Sequence, residues 1–172
     1  MTTTPLAGPQ RTCRRADGTA TFRPAAPAGN VLHQRITVAP RRRGAPPRHE
    51  DALRVGVMRR IAAAKLNFCG LGDLVGDVML IVSELWTNAL LHTSTTEITL
   101  RLEIEDGYLR VTVEDGEPGS AAPQHHDNPD AETGRGLLLV QHLVEEHGGA
   151  WGTGKGGAET WCTLALPAGT AA

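Results

Sequence analysis

The sequence predicts an α/β (α+β) two-layer sandwich, a mostly antiparallel mixed sheet covered on one face by helices. Three observations lead there. Val78–His92 places apolar residues at Val78, Ile81, Val82, Leu85 and Ala89, the three-then-four spacing of a helix with one buried face. Glu97–Glu105 and Tyr108–Glu114 alternate strictly on either side of Asp106-Gly107, a strong hairpin signal. Leu137–Val144 then reads as a second buried helix, followed by two short strand-like runs. A hairpin with one apolar face needs a layer of helices above it.

In order, residues 1–30 are rich in Pro, Gly, Ala and Thr without a sustained period, and are expected to be a flexible tail. Val31–Val38 alternates weakly, as an edge strand would. Pro40–Pro47 holds three prolines, one glycine and three arginines and must be loop. From about Arg48 to Asn67, Leu53, Val55, Val57, Met58 and Ile61 recur among charges, and Phe68-Cys-Gly-Leu-Gly72 breaks that helix. Asp73 is placed to cap the Val78–His92 helix. Thr93-Ser-Thr-Thr96 turns into the hairpin, whose inward residues are Ile98, Leu100, Leu102, Ile104, Leu109, Val111 and Val113. Asp115-Gly-Glu-Pro-Gly119 ends the second strand, and an irregular acidic loop leads to Thr133-Gly-Arg-Gly136. His147-Gly-Gly149 closes the last helix, and strands are expected around Ala150–Thr153 and Glu159–Leu166 with Lys155-Gly-Gly157 between them. The ordered domain is expected over 31–167, with 168–172 a short tail.

At 172 residues, with 40% hydrophobic and 21% charged residues, the composition is that of one ordinary globular domain. No apolar run is expected to span a bilayer, and the N-terminus lacks the order of a secretory signal. Three cysteines, Cys13, Cys69 and Cys162, stand far apart and read as free thiols of a reducing cytoplasm. The net charge of −2 hides a basic first third, with twelve Lys/Arg against three Asp/Glu in residues 1–60. Arg41-Arg-Arg43 lacks interleaved aromatics and any DNA-reading motif, so it reads as a solvated loop and not as a nucleic-acid site.

The chemistry concentrates in three places. Glu84, Asn88 and His92 stand four residues apart and stack along one line of their helix. A carboxylate above a carboxamide could hold a hydrated divalent cation, or a water or hydroxyl ready for deprotonation; a solvated polar face is the plainer reading. Asp115 at a strand end could accept a hydrogen bond from an exocyclic amine, or merely cap a turn. Gly134-Arg-Gly136 at a helix start lets backbone approach an anion, with Arg135 either a phosphate contact or an exposed loop residue.

Taken together in this order, Val82-Ser-Glu-Leu-Trp-Thr-Asn-Ala-Leu-Leu-His92, Val113-Glu-Asp-Gly-Glu-Pro118, Asp130-Ala-Glu-Thr-Gly-Arg-Gly-Leu-Leu-Leu-Val140 and Glu159-Thr-Trp-Cys-Thr-Leu-Ala-Leu-Pro167 resemble the GHKL ATPase superfamily, whose nucleotide pocket is the Bergerat fold. The chain looks most like the small anti-sigma-factor serine kinases and the histidine-kinase-like ATP-binding proteins of actinobacterial type. The resemblance spans roughly residues 35–167.

That resemblance implies ATP and Mg²⁺ as cofactors. It implies that Asn88 ligates the metal and that Glu84 is the general base of phosphoryl transfer. It also implies that Asp115, followed by Gly116, receives the adenine amine, supported by Thr160. Gly134, Arg135, Gly136 and Leu137 would form the phosphate-side edge of a lid. His92 would orient the helix end. The implied partners are a sigma factor and an antagonist protein whose serine is phosphorylated, with no membrane and with homodimers common among relatives. A catalytically silent nucleotide-binding interaction module is the alternative. Two departures from the pattern stand out. Glu117 occupies a place where relatives carry Gly or Ser, and its carboxylate would repel a nucleotide unless it points to solvent. No phosphate-binding lysine is evident apart from the distant Lys155.

Overall fold

The two alternating runs become strands β2 (Glu97–Glu105) and β3 (Tyr108–Glu114) in a computed structural model, which describes residues 29–40, 42–43, 45–118 and 135–167. Asp106 and Gly107 both have positive φ, 51° and 80°, as a two-residue turn matching the strand twist requires. Strand β1 (Gly29–Thr37) pairs with β2 at one edge. At the other side β5 (Glu159–Ala165) pairs with β3, and β4 (Trp151–Gly154) forms the far edge. The order is β1-β2-β3-β5-β4, and all four pairings are antiparallel, so the described sheet has no parallel member.

Helices α1 (His49–Phe68), α2 (Val75–His92) and α3 (Arg135–Glu146) cover one face. The core lies between the layers. Ile98, Leu100 and Leu102 of β2 and Leu109, Val111 and Val113 of β3 meet Val78, Ile81, Val82, Leu85 and Trp86 of α2, all buried. Met58, Ala62 and Leu66 of α1 and Val140 and Val144 of α3 complete it. Each such aliphatic side chain contributes about 1.5–3 kcal/mol through its removal from water.

Two expectations change. Asp73 does not cap α2: it lies inside a 3₁₀ turn, Gly72–Leu74, and α2 begins behind Leu74 with no side-chain cap. Gly72–His92 is long and apolar enough, by length and composition alone, to cross a membrane, contrary to the expectation that no run would be. Its buried Val78–Trp86 stripe shows why it is so apolar: it is the central helix of the core.

The start of α1 is tied to the exit of β1 by a buried charge. Asp51 is 3% exposed and accepts the Ala39 backbone N–H at 3.2 Å and the Arg54 guanidinium at 2.9 Å. Arg54 also donates to the Thr37 carbonyl, so the carboxylate and its cation are fixed together. At the other end of the helical layer, His147 Nε2 lies 2.7 Å from Asp77 Oδ2 and joins the end of α3 to the start of α2.

No described helix lies over the second face of the sheet. The polar halves of the strands pair there instead. Arg101 bridges Glu114 at 3.1 Å and Glu159 at 2.7 Å, and Lys155 reaches the same two carboxylates at 2.6 and 3.5 Å. Arg110 stacks 4.3 Å over the Trp161 ring. Of the expected tails, 1–30 and 168–172, residues 1–28 and 168–172 lie outside the described residues, whereas Gly29 and Asn30 belong to β1, which starts two residues earlier than expected.

Candidate functional site

The apolar spacing that buries one face of α2 leaves Glu84, Asn88 and His92 on its flank, all three half-buried. Among the described residues none hydrogen-bonds the side chain of Glu84 or Asn88. The start of α3 comes directly against this flank. A side-chain carbon on Gly136 would lie 3.0 Å from Cδ of Glu84 and nearer still to Oε2, so glycine lets the Glu84 carboxylate sit where it does, and any larger residue would displace it. The carboxylate therefore rests against the first turn of a helix, where free backbone N–H groups and the helix dipole favour an anion. Leu137 is half-buried behind Gly136, packed against the core.

The residues expected at an adenine are placed by the sheet. Asp115 follows the last residue of β3, and its backbone N–H donates to the Ala158 carbonyl at 3.0 Å. Gly116 has φ of +75° and shares that carbonyl at 3.3 Å. The Asp115 side chain is 8% exposed, and its Oδ1 accepts the Glu117 backbone N–H at 2.9 Å. Thr160 pairs in register with Val113, so it shares the helix-facing side of β5 with Cys162 and Leu164. Glu84 and Gly136 are thus brought together, Thr160 lies on the helix-facing side of β5, and Asp115 lies just past the end of the neighbouring β3. Gly134 lies outside the described residues, and Arg135 is described only as the first residue of α3.

Glu117 does not threaten such a pocket. Its carboxylate accepts the Ser94 backbone N–H at 2.8 Å and the Ser94 hydroxyl at 2.6 Å, tying the exit of β3 to the exit of α2. Two donors hold the charge on the loop that leaves α2. Lys155 is likewise accounted for: with Glu114 and Glu159 as partners on the uncovered face, it is no phosphate ligand in this arrangement. The Lys155 hydrogen bond, with the nearby Arg101 charge, holds the Glu114 carboxyl below its ordinary 4.5. Burial pushes the Cys162 thiol up to about 12, so that thiol stays protonated and inert.

A cleft of about 470 Å³ opens on the uncovered face, lined by Arg35, Thr99, Arg101, Glu114 and the Asp115–Glu117 turn among others. Glu84, Asn88 and Thr160 do not line it, so it lies across the sheet from the α2–α3 flank. Sequence reasoning missed this paired surface. The hairpin alternation left Arg101 and Glu114 on the outward side, and only the register shows that they meet Glu159 there.

The fit of an adenine nucleotide with Mg²⁺ is a question for the α2–α3 flank. A close backbone approach at Gly136 and a carboxamide at Asn88 stand on that flank, and the buried carboxylate of Asp115 stands at the end of β3, where it also borders the cleft; these are the kinds of group that such a ligand needs. Among the described residues no three His, Cys, Asp or Glu cluster as a metal site. A metal here would take most of its ligands from phosphates and water, as Mg²⁺ usually does.

Comparison with known proteins bears on the same region. The histidine kinase domain of the blue-light activated histidine kinase from Erythrobacter litoralis EL346 is 28% identical to this chain. The match covers 68% of this chain and 60% of that domain, with a TM-score of 0.40. The chain thus spans less than two thirds of that domain. No curated protein matches it. The model of the histidine kinase-like ATPase domain matches residues 46–164, from just ahead of α1 to the end of β5, and by that match the chain belongs to the histidine kinase-like ATPase family.

Proposed function

We propose that this chain is an ATP- and Mg²⁺-binding regulatory protein of the anti-sigma factor serine kinase type. The observation that carries the reading is the meeting of Glu84 with Gly136: it puts the polar flank of α2 against the start of α3, where phosphates favour a helix N-terminus. In this reading Asn88 holds the metal, which supplies charge neutralisation at the phosphates. Asp115 accepts the adenine amine with Gly116 beside it, and Thr160 supports the base. Gly134, Arg135, Gly136 and Leu137 form the phosphate-side edge. Glu84 accepts the proton of a serine hydroxyl on an antagonist protein as that oxygen bonds to the γ-phosphorus and ADP departs. A sigma factor is the second partner, and the cytoplasm, where the buried free thiols of Cys69 and Cys162 stay reduced, is the compartment.

One observation favours a second reading, a catalytically silent nucleotide-binding interaction module in transcriptional regulation. Glu84 is packed under the first turn of α3, and a serine hydroxyl must reach it there.

Calorimetric titration with ATP and Mg²⁺, with GTP as control, tests the shared part of both readings. Mg-dependent, adenine-selective binding is expected, and no heat of binding at millimolar ATP would overturn the site. Glu84→Ala separates the two: it retains ATP binding in both, but abolishes phosphorylation of a serine acceptor only if Glu84 is the base.

A further inference from the structure

Helix α1 carries two apolar faces, and only one is used. Met58, Ala62 and Leu66 are fully buried against the core. At about 100° per residue, Leu53, Val57, Ala64 and Phe68 fall within a strip about 60° wide, roughly 150° round the helix from that buried face. All four are exposed, Leu53 at 58% and Phe68 at 83%. Scattered single apolar residues on a surface need no explanation, but two exposed apolar pairs aligned on one side of a 20-residue helix, Leu53/Val57 and Ala64/Phe68, do. Its borders are basic. Arg60, about 20° beyond the Leu53 edge, and Lys65, about 60° beyond the Phe68 edge, are exposed and form no ion pair with a described residue. The exposed carboxylate on the helix is Glu50, at its first turn.

We infer that this outward face of α1 is a docking surface for an amphipathic helix of a partner protein whose apolar seam is flanked by acidic side chains. Charge decides the occupant. A second copy laid antiparallel on the stripe would pair Leu53 with Phe68, but would bring one Arg60 against the other near the two-fold axis. The chain's own residues 1–28 carry four arginines and one aspartate, so they repeat the charge of the rim and do not complement it. An acidic helix satisfies both parts of the surface: its seam covers the stripe, and its flanks meet Arg60 on one side and Lys65 on the other. The inference does not depend on the nucleotide site, which lies on α2 and α3.

The test uses the full chain and two synthetic helical peptides of about 18 residues, with the same leucine seam and either glutamate or lysine flanks. Fluorescence anisotropy should show the glutamate peptide binding about tenfold or more tightly than its lysine twin, with the gap narrowing as salt rises. Phe68→Ser and Leu53→Ser should each weaken that binding about fivefold or more with unchanged circular dichroism. The paired reversal Arg60→Glu and Lys65→Glu, wholly on the surface, should invert the preference between the peptides. Equal affinity for both peptides, or a preference that survives the reversal, overturns the inference. It is also overturned if the same apolar variants instead abolish binding to phosphatidylglycerol vesicles, or abolish a dimer seen in sedimentation.

Discussion

The carboxylate of Glu84 occupies the space where any side chain at position 136 would begin. Gly136→Ala must therefore push the start of α3 away from α2 or drive Glu84 from its place. A loss of about 1 kcal/mol in stability, the low end for overpacking, is expected because the displaced group is the end of a flexible side chain. Chemical denaturation measures it, and the double variant Gly136→Ala with Glu84→Ala should recover most of the loss. Equal instability in the single and double variants would mean that the contact is not the cause.

Asn88→Ala is expected to remove the Mg²⁺ dependence of ATP affinity and to weaken binding by about tenfold or more, with the thermal midpoint little changed because the side chain is only half-buried. Titration with ATP at zero and millimolar Mg²⁺ is the measurement. Asp115→Asn should narrow the preference for ATP over GTP, since an amide can donate where the carboxylate only accepts. Undiminished preference would remove Asp115 from the base-reading role.

Because Glu117 is held by Ser94, its charge should be nearly invisible to a nucleotide. Glu117→Gln is predicted to change ATP affinity by less than about threefold. A carboxylate facing the phosphates would instead relieve repulsion on neutralisation and tighten binding sharply. The same substitution should cost stability modestly, about 1 kcal/mol, through the weakened bonds to Ser94.

The Glu114–Lys155 pair has a defined pH signature. Lys155 holds Glu114 below its ordinary 4.5, so the contribution is full above that pH and is lost as pH falls through the lowered value. Glu114 in turn raises Lys155 above its ordinary 10.5, so the contribution is full below that pH and is lost as pH rises through the raised value. Lys155→Met should return the Glu114 carboxyl toward its ordinary value, seen by carbon NMR titration, and start acid unfolding at higher pH. An unmoved Glu114 titration would show that Arg101 alone sets it.

Strand limits were the most legible part of the chain. Period-two alternation and a turn needing two positive φ angles leave one register, and β2 and β3 run over the very residues that the pattern marked. The start of α2 was less so. Asp73 has the right chemistry for a cap, but a 3₁₀ turn absorbs it, and nothing local distinguishes the two. Of the site, the stripe Glu84–Asn88 and the strand-end Asp115 could be read from spacing, whereas their relation to Gly136 depends on how α3 crosses α2. The destinations of Glu117 and Lys155 were hidden for the same reason. Their partners Ser94 and Glu114 are 23 and 41 residues away, so sheet register and not helical spacing joins them.

The place of β5 between β3 and β4 has a bearing on how the domain comes into being. The hairpin of β2 and β3 needs only neighbouring residues, but β4 has no partner until β5 has been made. A chain halted on the ribosome before Glu159 would present β3 with an open edge and the core without Cys162 and Leu164. Such an intermediate is a template for wrong pairing. Completion of the described sheet therefore waits on β5, the last of its strands in sequence, and a slow, all-or-none closing step is the expected kinetic consequence.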